Sequence, residues 1–311
     1  MGAPFLVVGE SLVDVVLPAG GGPPHDAVGG SCLNVAVGLA RLDVPTVLMT
    51  RLGDDPFGRL CAEHVQASGV VLAEGSVVPG SRTSTATAHL DEHHAATYTF
   101  EMVWDLPRRT LPDVAGVHAG SLGAALTPGR DAVVDLVTQA QEADVFVSYD
   151  PNVRPAFLED AETTWAEVLD LAGRSRLVKL SDEDLRLLRP GQREEDVCGQ
   201  LLAAAATELV VLTRGAKGAT AYAEGTTLDV PAPPTDVVDT VGAGDSFMAA
   251  MLAMLTDWGV VSGGEGSLAA LDDSRLELLV RGAATAAAVT CSRRGASPPT
   301  RRELPATWPA G

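Results

Sequence analysis

An acid set just behind a glycine turn is the most chemically loaded feature of this sequence. Asp236-Val237-Val238-Asp239-Thr240-Val241-Gly242-Ala243-Gly244-Asp245-Ser246-Phe247 runs into residues 248–255, a stretch rich in Ala, Leu and Met with high helix propensity. The pattern predicts a helix N-terminus at Gly242, Ala243 and Gly244. Unpaired amides and the positive end of the helix dipole would receive an anion there, most often a phosphate. Asp245 then has two readings. As an N-cap it only stabilises the helix. As a general base beside a phosphate cradle, it takes a proton from a hydroxyl while the amides stabilise the charge on the group being transferred. Spacing alone does not separate them.

Other polar residues fall into groups with chemistry of their own. Asp14, Gly29, Gly30 and Asn34 combine a carboxylate acceptor, an amide side chain that donates and accepts, and glycines that admit close backbone approach, a mix that suits a polyol. The plainer alternatives are a solvated strand residue for Asp14 and a buried amide bonded to a loop for Asn34. Arg154, in Asp150-Pro151-Asn152-Val153-Arg154-Pro155, follows a strand pattern and offers a planar fork to phosphate, or is a surface Arg in a Pro-fixed turn. His118-Ala119-Gly120-Ser121 ends a strand and is a further candidate for touching a sugar. His89, His93 and His94 lie at a hairpin turn without the disposition of a metal site and are read as solvent-facing. Met248, Met251 and Met254 are read as helix core. Cys32, Cys61, Cys198 and Cys291 are scattered, which signals neither zinc nor a disulfide framework.

The elements that must carry these residues alternate in type. Apolar runs at 5–9, 46–50, 116–122, 144–150, 177–180 and 208–213 read as buried strands, and 33–42, 57–68, 131–142, 195–206 and 282–290 as helices. Residues 10–18 read as an extended strand, 19–26 as a loop, and the Thr- and aromatic-rich stretch 83–100 as a hairpin that interrupts the rhythm. Strands alternating with helices predict an α/β fold whose parallel sheet is covered on both faces, with ligands gathered where strands end. The Pro-rich tail from Pro298 reads as peripheral. A chain of 311 residues suffices for one large core. A net charge of −19 argues against nucleic acid or an anionic membrane as partner, so a nucleotide must be gathered in a local pocket with a divalent cation. With no leader-like segment and no long apolar run, the chain reads as soluble and cytoplasmic. There is no G-x-x-x-x-G-K-[ST] motif, so a kinase here is not a P-loop kinase. No G-x-G-x-x-G follows the first strand, which disfavours a dinucleotide-dependent oxidoreductase.

The stretch ending in Asp245 resembles the C-terminal signature of the ribokinase-like, PfkB-type carbohydrate kinases. Gly29-Gly30-Ser31-Cys32-Leu33-Asn34 with residues 35–42, followed by Arg51-Leu52-Gly53-Asp54-Asp55-Pro56-Phe57-Gly58, resembles their N-terminal signature. The similarity covers nearly the whole chain. It implies one ribokinase-like α/β domain over residues 1–311, with a small β-sheet lid from roughly 11–28 and 81–104. It implies ATP and Mg²⁺ as cofactors, Asp245 as the base, and Gly242, Ala243 and Gly244 as the anion hole, with Arg154 assisting. Asp14, Gly29, Gly30 and Asn34 would then hold the sugar.

Lys179-Leu180-Ser181-Asp182-Glu183-Asp184 is similar to the family's K-x-N-x-x-E element, with Ser181 for Asn and Asp184 for Glu. Asp184 would act on Mg²⁺ through water, with Glu183 the alternative. Thr213, Gly215 and Gly218, in Thr213-Arg214-Gly215-Ala216-Lys217-Gly218, would serve the nucleotide with Lys179 and Ser181, and adenine would lie near residues 286–289. Carbonyls of Asp239, Val241 and Gly295 would hold a monovalent cation such as K⁺, and a homodimer would form through the lid. D-P-N-x-R-P resembles fructokinase-type members and points to a hexose, fructose first, phosphorylated at a primary hydroxyl. Residues 100–104 lack the Arg common in that branch, which leaves ribose, 2-keto-3-deoxygluconate or a nucleoside as alternative acceptors, and a catalytically silent sugar-binding homologue as the alternative to a kinase.

Overall fold

Successive residues of the first strand go to opposite cores. Phe5 and Val7 join one hydrophobic cluster, Leu6 and Val8 the other. The same alternation recurs at Leu209 to Leu212, so both faces of the sheet are buried and its strands are apolar throughout. The computed structural model describes residues 2–18, 22–90, 96–262, 267–305 and 308.

The elements in chain order are β1 (Phe5–Val8), β2 (Leu12–Leu17), β3 (His25–Gly29), α1 (Ser31–Arg41), β4 (Thr46–Met49), β5 (Leu52–Gly53), α2 (Pro56–Ala67), β6 (Val71–Leu72), β7 (Val77–Val78), β8 (Ser84–Leu90) and β9 (Ala96–Glu101). After these come β10 (Gly116–Gly120), α3 (Ser121–Ala125), α4 (Gly129–Glu142), β11 (Phe146–Asp150), α5 (Ala161–Ala172), β12 (Leu177–Ser181), α6 (Asp182–Leu188), α7 (Glu194–Leu202) and β13 (Leu209–Thr213). The chain continues through β14 (Ala219–Ala223), β15 (Thr226–Val230), α8 (Ala243–Asp257) and α9 (Asp273–Cys291).

The large sheet has the order β15-β14-β13-β12-β11-β10-β1-β4-β6. It is parallel from β6 to β13, and β14 and β15 add an antiparallel edge. Helices α1, α8 and α9 cover one face, and α4, α5 and α7 the other. Helix α8 packs between α1 and α9. A Cβ built on Gly38 would lie 2.6 Å from the Ala249 Cβ, so the missing side chain at position 38 lets α1 and α8 approach closely.

A second sheet, β3-β2-β8-β9, corresponds to the small sheet foreseen at the lid segments. Its centre is the parallel pair β2 and β8, with β3 and β9 antiparallel on the outside. Asp55 fastens its base. As N-cap of α2 it accepts from the Gly58 amide at 2.7 Å, and it also accepts from the Thr83 amide and hydroxyl, each at 2.8 Å, one residue before β8 begins.

Several elements depart from the sequence reading. Residues 25 and 26, read as the end of a loop, instead open β3, which pairs with β2, Val28 opposite Val13. The antiparallel β14 and β15 and the short α3 were not foreseen. The tail is not peripheral: Trp308 is buried in the main core, and the Arg301 guanidinium donates to the Leu42 carbonyl and to Asp257. His93 and His94 lie outside the described residues.

Candidate active site

Helix α8 begins at Ala243, with Gly242 as N-cap in the left-handed region at φ 74°. A Cβ on Gly242 would lie 2.6 Å from that of Ala296, so glycine is required both by conformation and by space. The Ala243 amide donates to the Thr240 carbonyl at 3.2 Å. The Gly244 and Asp245 amides meet no acceptor among the described residues, so two free N–H groups stand at the positive end of a 15-residue helix.

Asp245 is buried, 7% exposed, and not solvated as a surface cap would be. Its Oδ1 accepts from the Ser31 hydroxyl at 2.7 Å and its Oδ2 from Asn34 Nδ2 at 2.8 Å. Both donors lie on α1. Asn34 is therefore bonded to the carboxylate across the helix pair, neither idle in the core nor tied to a loop. A carboxylate has about four lone-pair sites, so two remain for a substrate hydroxyl.

Beneath α8 lies a buried ion pair, with Lys179 Nζ 2.6 Å from Asp150 Oδ2. A Cβ on Gly244 would sit 3.2 Å from Lys179 Nζ, which places the ammonium under the first turn of α8. Burial works against the Lys179 charge, but Asp150 beside it, with Asp184 and Asp245 nearby, holds the ammonium above its ordinary range. Burial pushes the Asp150 carboxyl up to about 6 against the pull of Lys179, and its Oδ1 has no partner. Asp150 had been noticed only as part of a motif.

Asp184 is almost fully buried, and its carboxylate is shared among three donors. Oδ1 accepts from the Val153 amide, and Oδ2 from the Ser181 amide and hydroxyl, all at 2.7 Å. Ser181 and Asp184 thus form a capping box at α6, and the same carboxylate ties down the loop that carries Arg154. Glu183, the alternative, is exposed. Ser181 and Thr213 are register partners at the ends of β12 and β13. The turn that follows is closed by the Arg214 amide donating to the Gly218 carbonyl at 2.7 Å. Gly218 has φ 96°, and a Cβ there would strike the Val230 carbonyl, while Gly215 is open.

Asp239 joins the segment before α8 to the segment after α9, accepting from the Val241 amide at 3.1 Å and the Gly295 amide at 2.8 Å. Those amides hold its carboxyl below the usual range.

In the small sheet, Asp14 in β2 pairs with Ala86 in β8, which pairs with Phe100 in β9, so the three share one face. Gly29 leaves room for the carboxylate, since a Cβ there would lie 2.4 Å from Asp14 Oδ2. Gly30, at φ 108°, sits against the Glu10 carbonyl. Burial raises the Asp14 carboxyl, and the field of the exposed Arg154 pulls it partly back. The Phe100 and Phe157 rings meet edge to face at 5.1 Å, which brings the small sheet against the loop of Arg154. Phe100 was missed, because strand pairing decides its neighbours.

His118, in the sheet, is fully buried, with Nδ1 3.0 Å from the Ser148 hydroxyl. His89 is exposed, as expected. Ala286 is packed in the core, and Val289 is only partly buried against it. Among the described residues, no three His, Cys, Asp or Glu side chains are grouped to hold a metal directly.

A fold with this sheet, an amide-lined helix terminus and a carboxylate held beside it are the marks of a phosphoryl-transfer enzyme of the α/β class. The family model described as pfkB family carbohydrate kinase matches residues 5–302, and the chain belongs to that family, which transfers phosphoryl groups to sugar hydroxyls. Among relatives, it is 33% identical to a fructokinase of Rhizobium leguminosarum bv. trifolii over 81% of this chain and 79% of that one. It is 32% identical to a fructokinase of Klebsiella pneumoniae, covering 84% and 87%. A crystal structure of a double-mutant fructokinase from Vibrio cholerae O395, bound to fructose, ADP and potassium ion, superposes with a TM-score of 0.78 at 27% identity, covering 94% of each chain.

Proposed function

We propose that this carbohydrate kinase uses ATP to phosphorylate a primary hydroxyl of fructose, with Asp245 as the general base. The observation that carries the reading is the Asp245 carboxylate, buried at the N-terminus of α8, oriented by Ser31 and Asn34, and next to two unpaired amides. The fructokinase relatives support fructose as the acceptor.

Asp14, Asn34 and the backbone at Gly29 and Gly30 hold the sugar, and Arg154 closes that side of the site. The acceptor hydroxyl gives its proton to Asp245 as its oxygen bonds to the γ-phosphorus. The bond from that phosphorus to the bridging β-oxygen breaks in line, and ADP leaves with the electron pair. The free amides of Gly244 and Asp245 in the turn that begins at Gly242 and Ala243, with Lys179 beneath, stabilise the charge on the moving group; the Ala243 amide, expected among them, is engaged by the Thr240 carbonyl. Lys179, Ser181, Thr213, Gly215 and Gly218 serve the nucleotide. Mg²⁺ bound with ATP neutralises phosphate charge and keeps several of its waters. The unpartnered Asp150 Oδ1 suits that mode and would hold the ion through a water; Asp184 would do so alongside the three protein hydrogen bonds it already accepts. A monovalent cation such as K⁺ at the carbonyls of Asp239, Val241 and Gly295 would order the anion hole, a role supported by the two bonds through which Asp239 joins those segments.

The test is ADP release over a panel of fructose, ribose, 2-keto-3-deoxygluconate and adenosine, with wild type and Asp245→Asn. Fructose is expected to give the highest kcat/KM. Asp245→Asn is expected to lower turnover by about 10²-fold or more with ATP affinity nearly intact. Near-full turnover in the variant would mean another group is the base, and preference for another acceptor would overturn fructose alone.

A further inference from the structure

Glu10 has no part in the reaction described above, yet it is one of the most buried acids in the chain, 2% exposed. Its carboxylate spans two helix N-termini. Oε1 accepts from the Ser31 amide at 3.0 Å, at the first residue of α1, and Oε2 from the Gly123 amide at 2.8 Å, in the first turn of α3. Both helices have a glycine as N-cap, Gly30 and Gly120, so neither has a side-chain cap of its own. One carboxylate supplies both.

The packing leaves Glu10 little freedom. A Cβ on Gly30 would lie 2.7 Å from the Glu10 carbonyl oxygen, and one on Gly123 would lie 2.5 Å from the Gly9 Cα. Burial alone raises the Glu10 carboxyl, and the amides of Gly123 and Ser31 act against that rise. A buried carboxylate between two helix termini is offset by the two amide bonds and by the dipoles that converge on it.

What distinguishes Glu10 from a cap of purely structural value is the residue it holds. Ser31 gives its amide to Glu10 and its hydroxyl to Asp245 Oδ1 at 2.7 Å. One turn further along α1, Asn34 donates to Oδ2 of the same carboxylate. We propose that Glu10 is a positioning residue for phosphoryl transfer: by pinning the first turn of α1 it sets the Ser31 hydroxyl, which with Asn34 fixes the direction in which Asp245 faces the acceptor. Glu10 touches neither substrate nor nucleotide. The inference rests on Asp245 as the base and assigns that base its supporting relay.

The relay predicts a defect in turnover rather than in binding, because a misdirected base weakens the transition state while the sugar and ATP contacts remain. Glu10→Gln keeps the shape and one acceptor oxygen but turns an NH₂ group toward one of the two amides. It is expected to fold, to lower kcat about 10-fold, and to leave KM for sugar and ATP within about 2-fold, on the scale of a small misplacement of a reacting group. Ser31→Ala is expected to lower kcat similarly. The double variant is expected to be no worse than the poorer single one, because both changes break one relay.

Wild-type kcat in Glu10→Gln, or multiplicative losses in the double variant, would overturn the inference. If Glu10→Gln does not accumulate as folded protein, Ser31→Ala carries the test alone: lowered kcat at unchanged KM supports the relay, and unchanged kcat overturns it. Asp245→Asn separates the two readings. If that variant is inactive while Glu10→Gln is fully active, only the relay fails; if Asp245→Asn keeps its turnover, the base assignment fails first.

Discussion

His118 and Asp150 lie beneath the site on neighbouring strands, and burial moves their protons in opposite directions. Burial, with the Lys179 charge adding to it, lowers His118 from its ordinary value to about 3, so the ring stays neutral in the fold. The unfolded chain takes up that proton below about pH 6.5 and the folded chain does not until about 3, so this residue makes stability fall as pH falls through that window. Asp150, raised to about 6, contributes with the opposite sign, because the folded chain holds its proton more tightly. His118→Gln is therefore expected to make the acid-side loss of stability shallower by about 1.4 kcal/mol per pH unit, read from urea unfolding between pH 6.5 and 4. Parallel curves for variant and wild type would show that the buried ring accepts a proton within the fold. At this scale the sequence announced Asp245 and Asn34 but not Glu10 or Ser31 as their supports. The Ser31 bond to Asp245 spans 214 positions, and spacing along a chain does not report a contact made by packing two helices.

Among the elements, the junction of α2 and β8 carries the clearest expectation. Asp55 caps α2 and also holds the residue that leads into the small sheet, so one side chain serves a helix and the root of the candidate lid. Asp55→Ala is expected to lower stability by about 1–2 kcal/mol, a large capping effect. It is also expected to raise the sugar KM more than the ATP KM, because β8 lies beside the strand that carries Asp14. Equal changes in both would show that the clamp serves the helix alone. The sequence shows Asp55 within Arg51 to Gly58, just ahead of the helix read over 57–68. That Asp55 bonds Thr83, 28 positions away, it does not show, since any acid ahead of a helix reads first as a local cap.

Across the whole molecule, the small sheet ends on β9, which among the described residues pairs with β8 alone and on which Tyr98 is 59% exposed. An uncovered edge strand invites pairing, and we propose that a second copy covers it to form a dimer through the lid. Sedimentation is expected to give a dimer mass that shifts toward monomer in Tyr98→Glu, and a monomeric wild type would remove the idea. Among the described residues, no helix is long and apolar enough to cross a membrane. By itself the sequence determined the succession of buried strands and helices, the glycine turn at the start of α8, and the acid and amide that meet there. These are written in short-range periodicity and in residue types that few backbone conformations accept. Only the tertiary structure decided the strand order, the antiparallel edge of β14 and β15, the pairing of β3, the anchoring of the tail by Trp308, and the bridge by which Glu10 joins two helix ends next to the Asp245 carboxylate. Each depends on which distant surfaces exclude water together, and no local pattern in the chain encodes that choice.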